Sequence, residues 1–235
     1  MRKEPATHHL RRRRCLRPLH PGRGAFHHRK VGVPHQLHTL PGRNITRHAA
    51  LHLRIPKHDG RTDRHGNLQN DKILNIGCGN SRLSEDLSEE GYEDITNIDF
   101  STKAISIMEE KCKAKFPKMS FKVMDALNMK EIQTGSFNIV IDKGTLDSVL
   151  CGDNSVQNAQ KMISEVFRVL SPGGHYICIT YGDPEHRKKY FESLQWANLS
   201  VDKIQKPSIA ITNNSNNDEN DSKNFHYIYI MTKSK

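Results

Sequence analysis

Apolar positions along this chain fall into short continuous runs separated by longer amphipathic stretches, and the alternation starts at Asp71. Residues 72 to 76 (Lys-Ile-Leu-Asn-Ile) are a run of strand length leading into Gly77-Cys78-Gly79. Residues 81 to 90 come next, with Leu83 and Leu87 four apart, the spacing of one helix face. Residues 95 to 98 (Ile-Thr-Asn-Ile) make a second strand ending at Asp99. Ser101 then supplies an N-cap for a helix whose Ala104, Ile105 and Met108 share a face. Residues 120 to 124 give a third strand ending at Asp125, and residues 137 to 141 a fourth ending at Asp142. An amphipathic helix over 156 to 170 is stopped by Ser171-Pro172-Gly173-Gly174, after which Tyr176 to Thr180 form a fifth strand.

Strands separated by helix-length segments imply a parallel sheet with helices on both faces. The end of the chain breaks that rhythm. Residues 199 to 205 and 225 to 232 read as strands joined by the polar stretch Asn213 to Lys223, which predicts an antiparallel pair closing the sheet. The expected fold class is α/β: a Rossmann-like, doubly wound, mostly parallel sheet with a C-terminal antiparallel strand pair.

Charge separates the chain into two parts. Residues 1 to 70 hold 16 Lys or Arg against Glu4, Asp59 and Asp63, a net of +13, which leaves −3 of the total +10 for residues 71 to 235. The same 70 residues contain 11 of the 14 His and only one aromatic residue, Phe26, too little to fill a core. Arg outnumbers Lys by 13 to 3 there and is outnumbered 3 to 17 afterwards, two vocabularies that point to a first exon misassigned or read out of frame. A mitochondrial targeting segment is the rival reading, but such segments are Ser-rich and residues 1 to 70 contain no Ser. The run Arg11 to Arg14 and the pairs His8/His9 and His27/His28 offer a handle for nucleic acid or metal, against the plainer reading of a solvated, disordered extension. The expected organisation is a basic extension over 1–70 and one domain over 71–235.

Five scattered cysteines (Cys15, Cys78, Cys112, Cys151 and Cys178) without C-x-x-C spacing argue against a zinc site or disulfide framework, so no metal is expected. Apolar runs of strand length only lead to the expectation of a soluble, cytoplasmic protein without a membrane partner.

A doubly wound sheet binds ligands at the carboxyl ends of its strands, which here carry Gly77 and Gly79, Asp99, Asp125 and Asp142. Glycines at the first turn let a ligand approach the backbone. Asp99 lies 22 residues after Gly77, the distance at which an acidic residue ending the second strand accepts ribose hydroxyls. Asp125 is placed to accept from an adenine amino group. Taken singly, each aspartate reads as a helix cap or a solvated loop end, and the glycines as a tight turn. Arg82 occupies the position of a third fingerprint glycine, so the combination points to an adenosine ligand without a diphosphate.

The segments Ile-Leu-Asn-Ile-Gly-Cys-Gly-Asn-Ser (73 to 81), Asn-Ile-Asp (97 to 99), Met-Asp-Ala (124 to 126), Asp-Lys-Gly-Thr-Leu-Asp (142 to 147) and Leu-Ser-Pro-Gly-Gly (170 to 174) resemble the class I S-adenosylmethionine-dependent methyltransferases. Within that class they are most similar to the methyltransferase-like proteins that include lysine methyltransferases of translation elongation factor 1-alpha. The resemblance covers residues 72 to about 232. It implies S-adenosyl-L-methionine as cofactor, with Gly77 and Gly79 along its methionine and ribose side, Asp99 on the ribose, Phe100 flanking the adenine, and Asp125 with Ala126 at the adenine edge. Lys143 and Asp142 would lie beside the methyl group. Asn75 departs from the class, many members of which carry an acidic residue there for an indirect contact to the cofactor amino group. Methyl transfer to a protein lysine is the activity implied. The catalytic candidates are Asp142, Lys143 and Asp147, either aspartate orienting the amine or simply capping the loop after the fourth strand. The alternatives are a nucleic-acid enzyme using the basic extension, a small-molecule methyltransferase, or a binding protein with an impaired methyltransferase fold. Against the nucleic-acid reading, the Asn/Asp-Pro-Pro-aromatic tetrad is replaced by Asp142-Lys143-Gly144-Thr145.

Overall fold

A computed structural model of the chain describes residues 71–205 and 225–235. The readings of residues 1–70 and of Asn213 to Lys223 lie outside them. The elements in chain order are β1 (Ile73–Ile76), α1 (Leu83–Glu89), β2 (Ile95–Asp99), α2 (Thr102–Cys112), β3 (Ser120–Val123), β4 (Phe137–Lys143), α3 (Thr145–Leu150), α4 (Ser155–Val169), β5 (Leu170–Thr180), α5 (Pro184–Phe191), β6 (Trp196–Gln205) and β7 (Phe225–Lys233). They build a seven-stranded sheet in the order β3-β2-β1-β4-β5-β7-β6. Strands β1 to β5 pair in parallel, and β7 runs antiparallel to both β5 and β6. The expected α/β fold is what forms, with β7 inserted between β5 and β6.

Period-two alternation divides the sheet's side chains between two apolar layers. Leu74, Ile76, Val140, Tyr176, Cys178, Tyr229 and Met231 face one layer, which is completed by Leu146 of α3, by Ala159, Met162, Ile163, Val166 and Val169 of α4, and by Phe191 of α5. Ile73, Ile95, Ile139, Ile141, Ile177, Ile179, Ile228 and Ile230 face the other, with Leu83 and Leu87 of α1. Strands covered on both sides read as unbroken apolar runs, which is why β1, β4 and the second half of β5 are legible in the sequence. Ser101 caps α2 as expected, its hydroxyl oxygen accepting from the Ala104 N–H at 3.3 Å.

Three elements differ from the expectation. Helix α3 lies inside the stretch read as a loop, and α5 comes after β5 where no helix is predicted; the first is six residues long and the second mostly polar, so neither shows an apolar period. Strand β5 starts at Leu170, six residues before Tyr176. The stop signal at 171 to 174 ends α4 but continues as extended chain, with a register shift between Phe137 and Ile139 on β4.

Candidate functional site

Seven of the residues singled out at the strand ends, Gly77, Gly79, Asp99, Phe100, Asp125, Ala126 and Lys143, line one cavity of about 430 Å³. That volume suits a small organic molecule. The cavity lies at the carboxyl edge of the parallel strands, where the fold places its ligands.

Its floor is the β1–α1 turn. Gly77 and Gly79 both have positive φ, +61° and +52°, a conformation costly for any residue with a β-carbon. Their surroundings differ. A β-carbon on Gly77 would overlap Thr145, whose hydroxyl donates to the Ile76 carbonyl at 2.9 Å, so Gly77 is where β1 meets α3. A β-carbon on Gly79 would meet nothing within 4 Å, so its backbone borders open space.

Asp99 ends β2 and is tied to this turn. One carboxylate oxygen accepts the Gly79 N–H at 2.8 Å, the other the Ser101 N–H at 2.8 Å. Two backbone donors from different elements fix the carboxylate in a buried position while leaving lone pairs for a further donor. Beside it the Phe100 ring is 81% exposed, an apolar face with no partner in the core. Across the cavity, Asp125 is exposed and accepts the Leu127 N–H at 2.8 Å, which shapes the turn carrying Ala126. Lys143 closes the wall at the end of β4. Burial pushes its ammonium pKa below the ordinary value, an effect opposed by the neighbouring Asp142 charge.

Asp142 and Asp147 do not join these residues. Both are fully buried and absent from the cavity wall. The Asp142 carboxylate turns inward and takes the N–H groups of Thr145 (2.7 Å) and Leu146, the Tyr176 hydroxyl (3.2 Å) and the Cys178 thiol (3.4 Å), capping α3 from two residues before its N-cap position. Burial, then the proximity of Asp147, raises its pKa to about 6. Asp147 pairs with the Arg187 guanidinium at 2.6 Å and accepts from the Thr180 hydroxyl and the Tyr181 N–H. The Asp142 contacts cap α3, whereas those of Asp147 tie α3 to Arg187 and to segment 180–181.

The partners of Asn75, noted above only as a departure from the class, escaped sequence reasoning. Asn75 and Asn97 sit opposite each other on β1 and β2, and the Asn75 amide donates to Asn97 (3.0 Å) and to the Ser84 hydroxyl of α1 (2.9 Å). The signal was present, because Ile-Leu-Asn-Ile and Ile-Thr-Asn-Ile each place an amide third in a segment that begins and ends in Ile, and buried amides require partners. This triad pins α1 to the sheet under the glycine turn, and Asn75 borders the cavity.

The arrangement fits an adenosine-containing sulfonium cofactor: an open glycine turn, an anchored carboxylate for ribose hydroxyls, and a bare aromatic face. Comparison with known proteins decides the family. Residues 67–230 match the family described as a methyltransferase domain. The chain belongs to that family. Its methyltransferase domain is of the S-adenosylmethionine-dependent kind. Among curated relatives, the bovine eEF1A lysine and N-terminal methyltransferase is 46% identical over 121 residues, 51% of this chain and 17% of the relative. The mouse EEF1A lysine methyltransferase 4 is 34% identical over 129 residues, 52% of this chain and 50% of the relative. The chain thus spans half or less of the length of these proteins. Among solved structures, a SAM-dependent methyltransferase from Methanosarcina mazei superposes with a TM-score of 0.52 at 22% identity, covering 72% of this chain and 96% of that one. A Haemonchus contortus phosphoethanolamine N-methyltransferase 2, solved with S-adenosyl-L-methionine, superposes at 0.53 and 15% identity, over 71% and 49%. At these identities the superpositions speak for the fold.

Proposed function

We propose that this protein transfers a methyl group from S-adenosylmethionine to the ε-amine of a protein lysine, through a domain that starts near Asp71. The observation that carries the cofactor half is the Asp99 carboxylate, held by two backbone N–H groups beside a glycine turn that opens onto the cavity. The lysine half is supported by relatives whose names specify a lysine of elongation factor 1-alpha.

The cofactor supplies a methyl group made electrophilic by a positive sulfur. What remains for the protein is to bind, orient and keep water out. In this reading Asp99 accepts the ribose hydroxyls, Phe100 flanks the adenine, and Asp125 with Ala126 borders the adenine edge. Gly77 and Gly79 run along the methionine side, and Lys143 closes the wall near the methyl. The acceptor amine, with a reference pKa of about 10.4, must reach the site without its proton. With the cofactor bound, the amine lone pair would take the methyl group from sulfur, which would be left as a thioether, and the methylated ammonium would give its extra proton to solvent. Neither Asp142 nor Asp147 borders the cavity to take that proton. Lysate protein and purified elongation factor 1-alpha incubated with labelled cofactor test the reading. Label is expected on lysine; label confined to RNA or small metabolites would overturn it.

A further inference from the structure

A second hollow, of about 390 Å³, opens beside the first. Leu150 and Cys151 at the end of α3, Tyr181 and Asp183 after β5, and His186 and Tyr190 on α5 bound it. Cys151 belongs to the walls of both hollows. Its thiol meets the Tyr181 hydroxyl at 3.8 Å, so these two side chains mark the seam between them.

The walls are held rigidly. Asp147 accepts the Tyr181 N–H and the Thr180 hydroxyl, the Gly182 carbonyl receives the Tyr229 hydroxyl at 2.9 Å, and a β-carbon on Gly182 would overlap Arg187. Segment 180–183 is therefore clamped from three elements, which is how a binding wall keeps its geometry. The charge of the hollow is equally defined. Arg187 lies in the wall, but its guanidinium is neutralised by Asp147. The imidazole of His186 is engaged with the Asp183 carboxylate, Nδ1 to Oδ1 at 2.7 Å. Tyr181 stays protonated, since burial raises its hydroxyl pKa to about 12. Asp183 stays ionised, the His186 hydrogen bond holding its carboxyl below the ordinary range. Besides the Ser155 and Tyr190 residues of its wall, the hollow presents the Asp183 carboxylate at the rim and the neutral Tyr181 hydroxyl at the seam, a combination that attracts a cationic side chain and then meets an uncharged amine.

We propose that this second hollow is the acceptor channel: a lysine side chain of the protein substrate enters past Asp183 and reaches the methyl at the seam between Cys151 and Tyr181. The assignment rests on the lysine methyltransferase reading above and adds the residues that select the acceptor. Asp183 draws in the ammonium, and the Tyr181 hydroxyl orients the amine after its proton has left.

The test uses the full chain with Asp183→Asn and Tyr181→Phe. Asparagine keeps the N-cap acceptor that Asp183 offers the His186 N–H at 3.0 Å, and phenylalanine keeps the ring, so both variants should fold. The acceptor is the protein that wild type labels, purified elongation factor 1-alpha being the first probe, and cofactor affinity is measured separately by calorimetry. Asp183→Asn should raise the acceptor KM about tenfold, and Tyr181→Phe should lower kcat by about as much, with cofactor Kd and Tm unchanged. A wall that was merely structural would move Tm and cofactor affinity together. Wild-type-like kinetics in both variants would overturn the channel and leave the lysine reading standing. A wild type that binds cofactor yet labels no protein would overturn the lysine reading, and the channel with it.

Discussion

Strands β2 and β4 end alike in sequence and unlike in space. Each closes an apolar run with an aspartate at the carboxyl edge of the sheet, Asp99 on one and Asp142 on the other. Asp99 is satisfied by two backbone N–H groups, with the cavity beside it. Asp142 points under the sheet edge into the apolar layer, where four donors surround it. The residues just past each strand make the difference. After Asp99 the chain enters α2 through Ser101, which performs the capping itself, so the aspartate is left at the surface of the site. After β4, Gly144 turns with φ +81° straight into α3, and no side chain at the N-cap position bonds the helix start. Asp142 takes that duty, and a strand-end carboxylate becomes part of the scaffold.

The largest expected effect lies on the scaffold side. Asp147→Ala would leave the Arg187 guanidinium buried without its partner, and losing one member of such a pair costs about 3–5 kcal/mol of stability. A denaturant titration checks this. A loss under about 1 kcal/mol, the range of an exposed pair, would mean that Arg187 finds water and that segment 180–183 does not depend on the pair.

Next comes a pH effect that Asp142 should show. The folded-state pKa of Asp142 is raised to about 6 from an ordinary 3.8, so between those values the folded chain binds more protons than the unfolded one. Its contribution is full below pH 3.8 and is lost as pH rises to 6, amounting to about 3 kcal/mol by 1.36 kcal/mol per unit. Stability of wild type relative to Asp142→Asn should therefore decline across that window and stay flat above it. A difference that grows with pH instead would show that the four donors outweigh burial.

These two sides were not equally legible in the sequence. The parallel strands announced themselves because burial on both faces makes Ile-Leu-Asn-Ile and Phe-Asn-Ile-Val-Ile nearly continuous apolar runs, and the positions of the glycine turn and strand-end aspartates came from the topology. The inward turn of Asp142 did not, since it depends on α3, six residues with no apolar period. The pairing of Asp147 with Arg187, 40 positions apart, leaves no local trace either. Strand β7 could be read as a strand, but its place between β5 and β6 is a property of the sheet alone.

On the ligand side, Asp99→Ala should weaken S-adenosylmethionine binding by about 1.5–3 kcal/mol for each ribose hydroxyl that loses its charged acceptor. Asp99→Asn should fall between the two, because its amide oxygen can still accept one of the backbone N–H groups. Calorimetry on both variants reads the order. Unchanged affinity in Asp99→Ala would remove the ribose from this corner of the cavity and make Asp99 a second Asp142, a residue that only ties turns together.

The smallest effect separates binding from stability most cleanly. Phe100 is 81% exposed, so replacing it with Ala removes no core contact and should leave Tm nearly unchanged, within about 0.5 kcal/mol of stability. A large apolar ring kept in water at the rim of a cavity gains its contacts only from what the cavity holds. If that is the adenine, Phe100→Ala should cost about 0.5–1.5 kcal/mol of cofactor affinity, and Phe100→Trp should keep or improve it, since an offset stack needs only an aromatic face. Adenosine alone should show the same loss, which isolates the base from the methionine end. Equal affinities for wild type and Phe100→Ala, with either ligand, would mean that the exposed ring serves a surface other than the adenine pocket, and would leave Asp125 and Ala126 as the remaining candidates for the base.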